Sequence, residues 1–309
     1  MDPTISVREL ASQIREEELP LHLARLPAGR SRATAPEAVE ASLAYLREVF
    51  AAHGWQVTDQ PSRDPVLGTG RNLLASLPGV TQPEMLVVVG VHHDTVPGSP
   101  GADDNGSGLA GLLELARVLG RGRWAATLQL VAFDFEETGF VGSHAYVDAP
   151  RRTPGVRLAG ALILEMIGYR DPRPGSQQLP PRAPWPFRRE VGELERRGRR
   201  GDFLVALASR RGDALLRQVA AGDALAAPEL PLFGPSVPRL APLPDLYLSD
   251  HVPVWRAGLP ALLLTDTGYL RNPHYHGPSD QANTLDPAFW GRVMAATLVA
   301  AAMLAGPIT

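Results

Sequence analysis

The 309-residue chain contains no cysteine. Disulfides, thiolate metal sites, cysteine nucleophiles and iron–sulfur clusters are therefore excluded. Lysine is absent too, since all 30 basic residues are arginine. That removes Schiff-base chemistry and the phosphate-binding loop that needs a lysine. Arginine is almost never deprotonated, so proton abstraction falls to His, Asp, Glu or Tyr. No serine stands in a G-x-S-x-G setting, which disfavours a serine hydrolase. Neither sign of charge dominates: the net charge is −3 at pH 7, and neither nucleic acid nor an anionic membrane is an expected partner. The most apolar stretch, Val293–Ala305, has 13 residues, short of the roughly 20 that cross a bilayer. The amino-terminal MDPTISVREL lacks the basic-then-apolar pattern of a signal peptide, so a cytoplasmic protein is expected.

What is present is ordinary globular composition, 44% hydrophobic and 20% charged, with ample length for a core. Pro36 opens a helix over 36–53, in which Val39, Leu43, Leu46 and Phe50 share one face and Gly54 ends the run. Short strands come after it at Trp55–Thr58 and Asn72–Leu77, separated by a loop rich in Pro and Gly. Four apolar runs come next, at Met85–Val91, Thr127–Phe133, Ala159–Leu164 and Ala261–Leu264, and they suit strands buried on both faces. Helical patterns alternate with them at Gly108–Leu119, Val141–Val147, Asp213–Ala221 and Asp286–Leu304, the last with Asp286 as cap and Pro287 as first helical residue. The expected fold is α/β, a mostly parallel but mixed central sheet sandwiched between helices, in a single domain spanning 1–309. Segment 170–200, with six prolines from Pro172 to Pro186 and nine arginines against four acids, reads as an inserted arm.

In open α/β sheets the ligand site lies beyond the carboxyl ends of the strands. Met85–Val91 is followed by His92, His93 and Asp94, and Thr127–Phe133 by Asp134, Phe135, Glu136 and Glu137. Ala159–Leu164 runs into Glu165; the loop after Ala261–Leu264 carries Asp266 and then His274, Tyr275 and His276. A glycine-rich turn, Pro100 to Gly108, adds Asp103 and Asp104. Imidazole and carboxylate together suit zinc or a similar divalent ion. Three carboxylates nearly balance two such ions, and one hydroxide completes neutrality. Without metal, the like charges would cost several kcal/mol or force protonation.

The segments VHHDT, PGADDNGSG, FEETGFVGS, LEMIGY, SDH and RNPHYHGPSD, in this order, resemble the blocks of the zinc-dependent aminopeptidase family with two co-catalytic metals, which also has carboxypeptidase and glutaminyl cyclase branches. The similarity of pattern covers nearly the whole chain. It implies a peptide substrate and two zinc ions per chain. His92, Asp104 and Glu165 would hold one ion; Asp104 would bridge to the second, completed by Glu137 and His276. Glu136 would be the general base for a water shared by the metals, and Tyr275 would donate to the developing oxyanion. The family more often has Asp where Glu165 stands. It also has a cis bond where Asp104 meets Asn105.

Neighbouring side chains on an extended segment point different ways, so Glu137 can ligate while Glu136 stays free. Asp94 is placed to accept the second ring proton of His92, and His93 should point away from the site. Asp250 and His251 read as structural hydrogen-bonding residues. Arg271 could meet a substrate carboxylate or form a salt bridge near the site, and the arginines of the 170–200 arm are further candidates to bind an acidic group. The leading function is therefore an aminopeptidase. The alternatives are a carboxypeptidase or amidohydrolase, a glutaminyl cyclase using one zinc, and a non-catalytic homologue that binds without turnover.

Overall fold

A computed structural model describes residues 7–152, 155–180, 187–237 and 244–308. In chain order its strands are β1 (Gln56–Asp64), β2 (Gly68–Leu77), β3 (Gln82–His92), β4 (Ala126–Phe133), β5 (Arg157–Glu165), β6 (Leu204–Ser209), β7 (Leu232–Phe233), β8 (Ser236–Val237) and β9 (Ala261–Thr265). The helices are α1 (Val7–Ala11), α2 (Glu18–Arg25), α3 (Pro36–Ala52), α4 (Gly108–Leu119), α5 (Val141–Arg152), α6 (Arg188–Arg196), α7 (Asp213–Ala226), α8 (His251–Arg256) and α9 (Pro287–Ala305). The sheet order is β1-β2-β4-β3-β5-β9-β6-β7, with β8 beside β6.

The four apolar runs become β3, β4, β5 and β9, which are mutually parallel and adjacent at the centre. Each buries both faces. Along β3, Val87, Val89 and Val91 face one core with Leu109 and Leu113 of α4 and Val293 of α9, while Val88 faces the other with Tyr146 and Val147 of α5. Helices therefore cover both sides, α3, α4, α7 and α9 on one and α5 and α8 on the other. The β1–β2 hairpin adds antiparallel strands at one edge, and β6 lies antiparallel to β9.

Two elements differ from the sequence expectation. The hairpin strands are longer than the apolar signal: β1 continues through Pro61, tolerated because this strand pairs on one side only. Strand β6 has no counterpart in that expectation, although its antiparallel pairing with β9 accords with the mixed sheet expected. At the carboxyl end, α9 has Asp286 Oδ1 accepting the Phe289 N–H at 3.0 Å and Pro287 in its first turn. It is long and apolar enough to cross a bilayer, but most of it is buried against α7, α4 and the sheet. Within the arm, residues 181–186 lie outside the described residues. The described part folds back on itself, Asp171 pairing with Gly201 and the Gln177 N–H donating to the Arg199 carbonyl, and it carries α6.

Candidate metal centre

Strand register fixes the site. His92 is level with Phe133 of β4, and Gly90 with Ile163 of β5, so His92 and Glu165 end neighbouring strands at the same height. Past the end of β4 the chain must turn sharply, and Phe135 takes a left-handed conformation, φ 57°. This residue separates two fates. Asp134, before it, turns away to Arg32, whose Nη2 lies 2.6 Å from Oδ2, and it also accepts the Arg71 N–H at 2.8 Å. Glu136 and Glu137, after it, enter the site. Sequence alone groups Asp134 with the site acids; the structure gives it to the scaffold.

The glycine-rich turn closes over the ends of β3 and β5. A Cβ at Gly101, φ +67°, would sit 2.3 Å from Thr95 Cγ2 and 2.6 Å from the Asp104 carbonyl, so only glycine lets the turn come this close. Asn105 donates to the Leu164 carbonyl at 2.8 Å, tying the turn to β5, and the Asp104–Asn105 peptide bond is cis.

These supports bring together three overlapping groups: His92 with Asp104 and Glu165; His92 with Glu136 and Glu137; and Asp104 with Glu137 and His276. Within each, the ligand atoms lie within 4.8 Å of one another. His92 Nε2 is 3.2 Å from Asp104 Oδ1 and 3.4 Å from Glu165 Oε2. His276 Nε2 is 3.1 Å from Asp104 Oδ2 and 3.3 Å from Glu137 Oε2. Asp104 thus gives one oxygen to each imidazole, the placement a bridging ligand needs. Glu137 Oε1 is buried without a hydrogen-bond partner among the described residues. The donor set, two imidazoles and three carboxylates, fits a pair of borderline divalent ions such as zinc.

The electrostatics agree. Burial pushes the carboxyls of Glu136 and Glu165 up, and that of Glu137 to about 7. Burial also acts on Asp104, but hydrogen bonds from His276 and His92 hold it below the usual carboxylate range. For the imidazoles burial works downward and is overcome: Glu165 and Glu136 raise His92, and Asp104 and Glu137 bring His276 to about 10. The cluster asks for positive charge at the points where the imidazole nitrogens and carboxylate oxygens meet.

Asp94 departs from its expected role. The close partner of His92 Nδ1 is the Asp94 main-chain carbonyl, at 3.0 Å, whereas the carboxylate stands 3.7 Å away. Its two oxygens instead accept the Glu136 and Glu137 N–H groups at 3.1 and 3.2 Å. Asp94 therefore sets the position of the base and a ligand together. Tyr275 stacks on His276, ring centroids 3.7 Å apart. His93 points away, Nε2 meeting the Arg71 carbonyl at 3.3 Å. His251 bonds to the Leu246 carbonyl at 2.9 Å, as a structural residue would, but both Asp250 oxygens are buried with no hydrogen-bond partner, and burial pushes that carboxyl to about 7. Arg271 forms no ion pair among the described residues. It is buried, donates to Gln177 Oε1 at 2.9 Å and the Phe203 carbonyl at 2.8 Å, and lies over the Phe203 ring.

Three supporting residues do not stand out in the sequence. Asp280 accepts the Asp103 and Asp104 N–H groups at 2.9 and 3.2 Å, and Ser249 donates to Glu165 Oε2 at 2.7 Å. Both fall inside motif blocks, the one signal available for them. Arg30 gives none: it is fully buried, and it clips the His93 and Gly101 carbonyls together at 2.9 Å each.

Two cavities flank the ligand cluster. One, of about 200 Å3, opens beside Glu165 and Tyr275 and is walled by apolar residues including Met166, Phe203 and, from the arm, Val191 and Leu194. The arm is thus part of the site wall. The other, of about 570 Å3, opens beside Glu137.

Known proteins share both the sequence pattern and the architecture. Residues 72–200 match the model of peptidase family M28. The uncharacterized protein YfbL of Escherichia coli is 35% identical over 256 residues, covering 79% of this chain and 74% of that protein. Leupeptin-inactivating enzyme 1 of Streptomyces exfoliatus is 34% identical over 149 residues, 48% of this chain but only 33% of that enzyme. Among solved structures, the aminopeptidase of Aneurinibacillus sp. strain AM-1 superposes with a TM-score of 0.72 at 14% identity, covering 98% and 97% of the two chains. BSAP, a zinc aminopeptidase from Bacillus subtilis, gives 0.57 at 23% identity, covering 77% of this chain and 51% of that one. The shared fold and the long match to YfbL agree with the family model: this chain belongs to peptidase family M28.

Proposed function

We propose that the protein is a zinc-dependent aminopeptidase that removes the amino-terminal residue of peptides with two metal ions per chain. The observation that carries this reading is the pair of ligand groups sharing Asp104, with the Glu136 carboxyl beside them. His92, Asp104 and Glu165 would hold one ion, and Asp104, Glu137 and His276 the other. When bound, such a pair lowers the pKa of a shared water and polarises the scissile carbonyl.

Glu136 accepts the proton of the attacking water and passes it to the departing amine. Its burial favours the protonated form, which raises its basicity toward the operating pH. Asp94 holds the Glu136 backbone so that the carboxyl cannot swing away. Tyr275, its phenol kept protonated by burial, donates to the oxygen that gains charge in the transition state.

A carboxypeptidase needs a fixed cation for the substrate's terminal carboxylate. Arg271 is fully engaged, and Arg32, the one arginine among the described residues lining either cavity, is paired with Asp134 and Glu40. A cyclase with one zinc would have no use for the second ligand group. Both points support the aminopeptidase.

The test pairs zinc-loaded wild type with Glu136→Gln on free and amino-blocked dipeptides. We expect wild type to cleave only the free-amine forms, and the variant to keep its metal but lose roughly a thousandfold or more in kcat. Undiminished turnover by Glu136→Gln would remove the base assignment. Equal cleavage of blocked peptides would remove the aminopeptidase.

A further inference from the structure

The cavity beside Glu137 has no residue in common with the one beside Glu165 and Tyr275. Each opens beside a different member of the ligand cluster, so the two together can take the opposite ends of a peptide whose scissile carbonyl lies at that cluster. The Glu137 chamber is lined in part by the β1–β2 turn, Asp64 to Leu67. That turn is fixed: Asp64 is buried, and its Oδ1 accepts the Val66 and Leu67 N–H groups at 2.8 and 2.7 Å. The rigid tip holds Val66 86% exposed at the cavity's edge. Val96, Pro97, Phe135 and Val141 line it as well. The chamber's single arginine, Arg32, is neutralised by Asp134 and Glu40.

We infer that this chamber receives the residue following the scissile bond, selects an apolar side chain against Val66 and Val96, and lets the peptide continue outward past the hairpin tip. The inference rests on the aminopeptidase reading. Three features carry it. The chamber adjoins a metal-ligand candidate, Glu137, that does not line the Glu165 cavity. Its lining surface is mostly apolar, and the hairpin turn that contributes to it is fixed, so contact there costs little ordering. Its lack of a free cation gives a free carboxylate no partner, which favours oligopeptides over dipeptides.

The experiment compares leucinamide, Leu-Leu-Gly and Leu-Glu-Gly as substrates of zinc-loaded wild type and of Val66→Asp. Hydrolysis of leucinamide gives leucine with ammonia as the leaving group, which places no side chain in the chamber, and the substituted position is exposed, so folding is not at issue. Wild type should prefer Leu-Leu-Gly to Leu-Glu-Gly by about tenfold in kcat/KM, the scale expected of an apolar contact. Val66→Asp should lower Leu-Leu-Gly by about tenfold and leave leucinamide unchanged. Two results would overturn the inference: the same Leu-Leu-Gly rate in both proteins, or a parallel fall on leucinamide. Failure of wild type to cleave leucinamide or either tripeptide is a separate result, and it would take the aminopeptidase reading down together with the inference.

Discussion

Buried acids occur in two quite different settings in this molecule. On α4, Glu114 is wholly buried, but Arg117 one turn away donates to it at 2.7 Å and the Arg15 N–H at 2.7 Å. At the carboxyl ends of the parallel strands, Asp104, Glu136, Glu137 and Glu165 are gathered with no arginine among the groups that hold them. The first setting closes its own charge; the second leaves it open. A folded chain keeps an open set only where something from outside completes it, so the imbalance locates function more sharply than burial does.

The largest way to break this contrast is Asp104→Ala. Removing the shared oxygens should cut bound zinc from two per chain to one or fewer, as read by elemental analysis, and lower turnover by several orders of magnitude. Full metal occupancy would contradict the bridging role. In the closed setting, Glu114→Gln should cost about 3–5 kcal/mol in denaturant unfolding, because Arg117 would remain nearly buried without its counter-charge. A change within experimental error would show that α4 does not depend on that pair.

The smallest effect sharpens the comparison at a third position. Asp223 on α7 is buried, its Oδ1 has no partner, and burial pushes its carboxyl from 3.8 to about 7. The folded state thus holds a proton that the unfolded state has released between these values. Stability from this group is highest below about 3.8 and falls as pH rises to about 7. Asp223→Asn should therefore stabilise the protein by about 2 kcal/mol at pH 8 and change little at pH 4. Equal effects at both pH values would point to packing instead of charge.

Much of the centre is legible because parallel strands buried on both faces leave an unambiguous apolar run, and the residues just past each run must lie at one edge of the sheet. His92, Glu136, Glu137 and Glu165 are reached in that way. Asp104 and His276 arrive on loops, and the motif blocks rather than periodicity point to them. Periodicity does not report direction. Asp134 and Glu136 are two residues apart, yet the left-handed Phe135 sends them to different places. Asp94 is expected to serve His92 through its carboxylate and serves it through its carbonyl, a choice set by backbone orientation. Strand β6 has a short apolar core that a single sequence does not separate from a buried helix segment. Burial raises the Asp250 carboxyl, with His92 opposing it, and neither influence is readable from the short SDH block.

Asp280 reaches back across the chain to grip the N–H groups of Asp103 and Asp104, 177 and 176 residues earlier. During synthesis, the sheet strands bearing His92 and Glu165 leave the ribosome long before this clamp does. A nascent chain would therefore remain without a finished cation cradle until its last tenth has emerged.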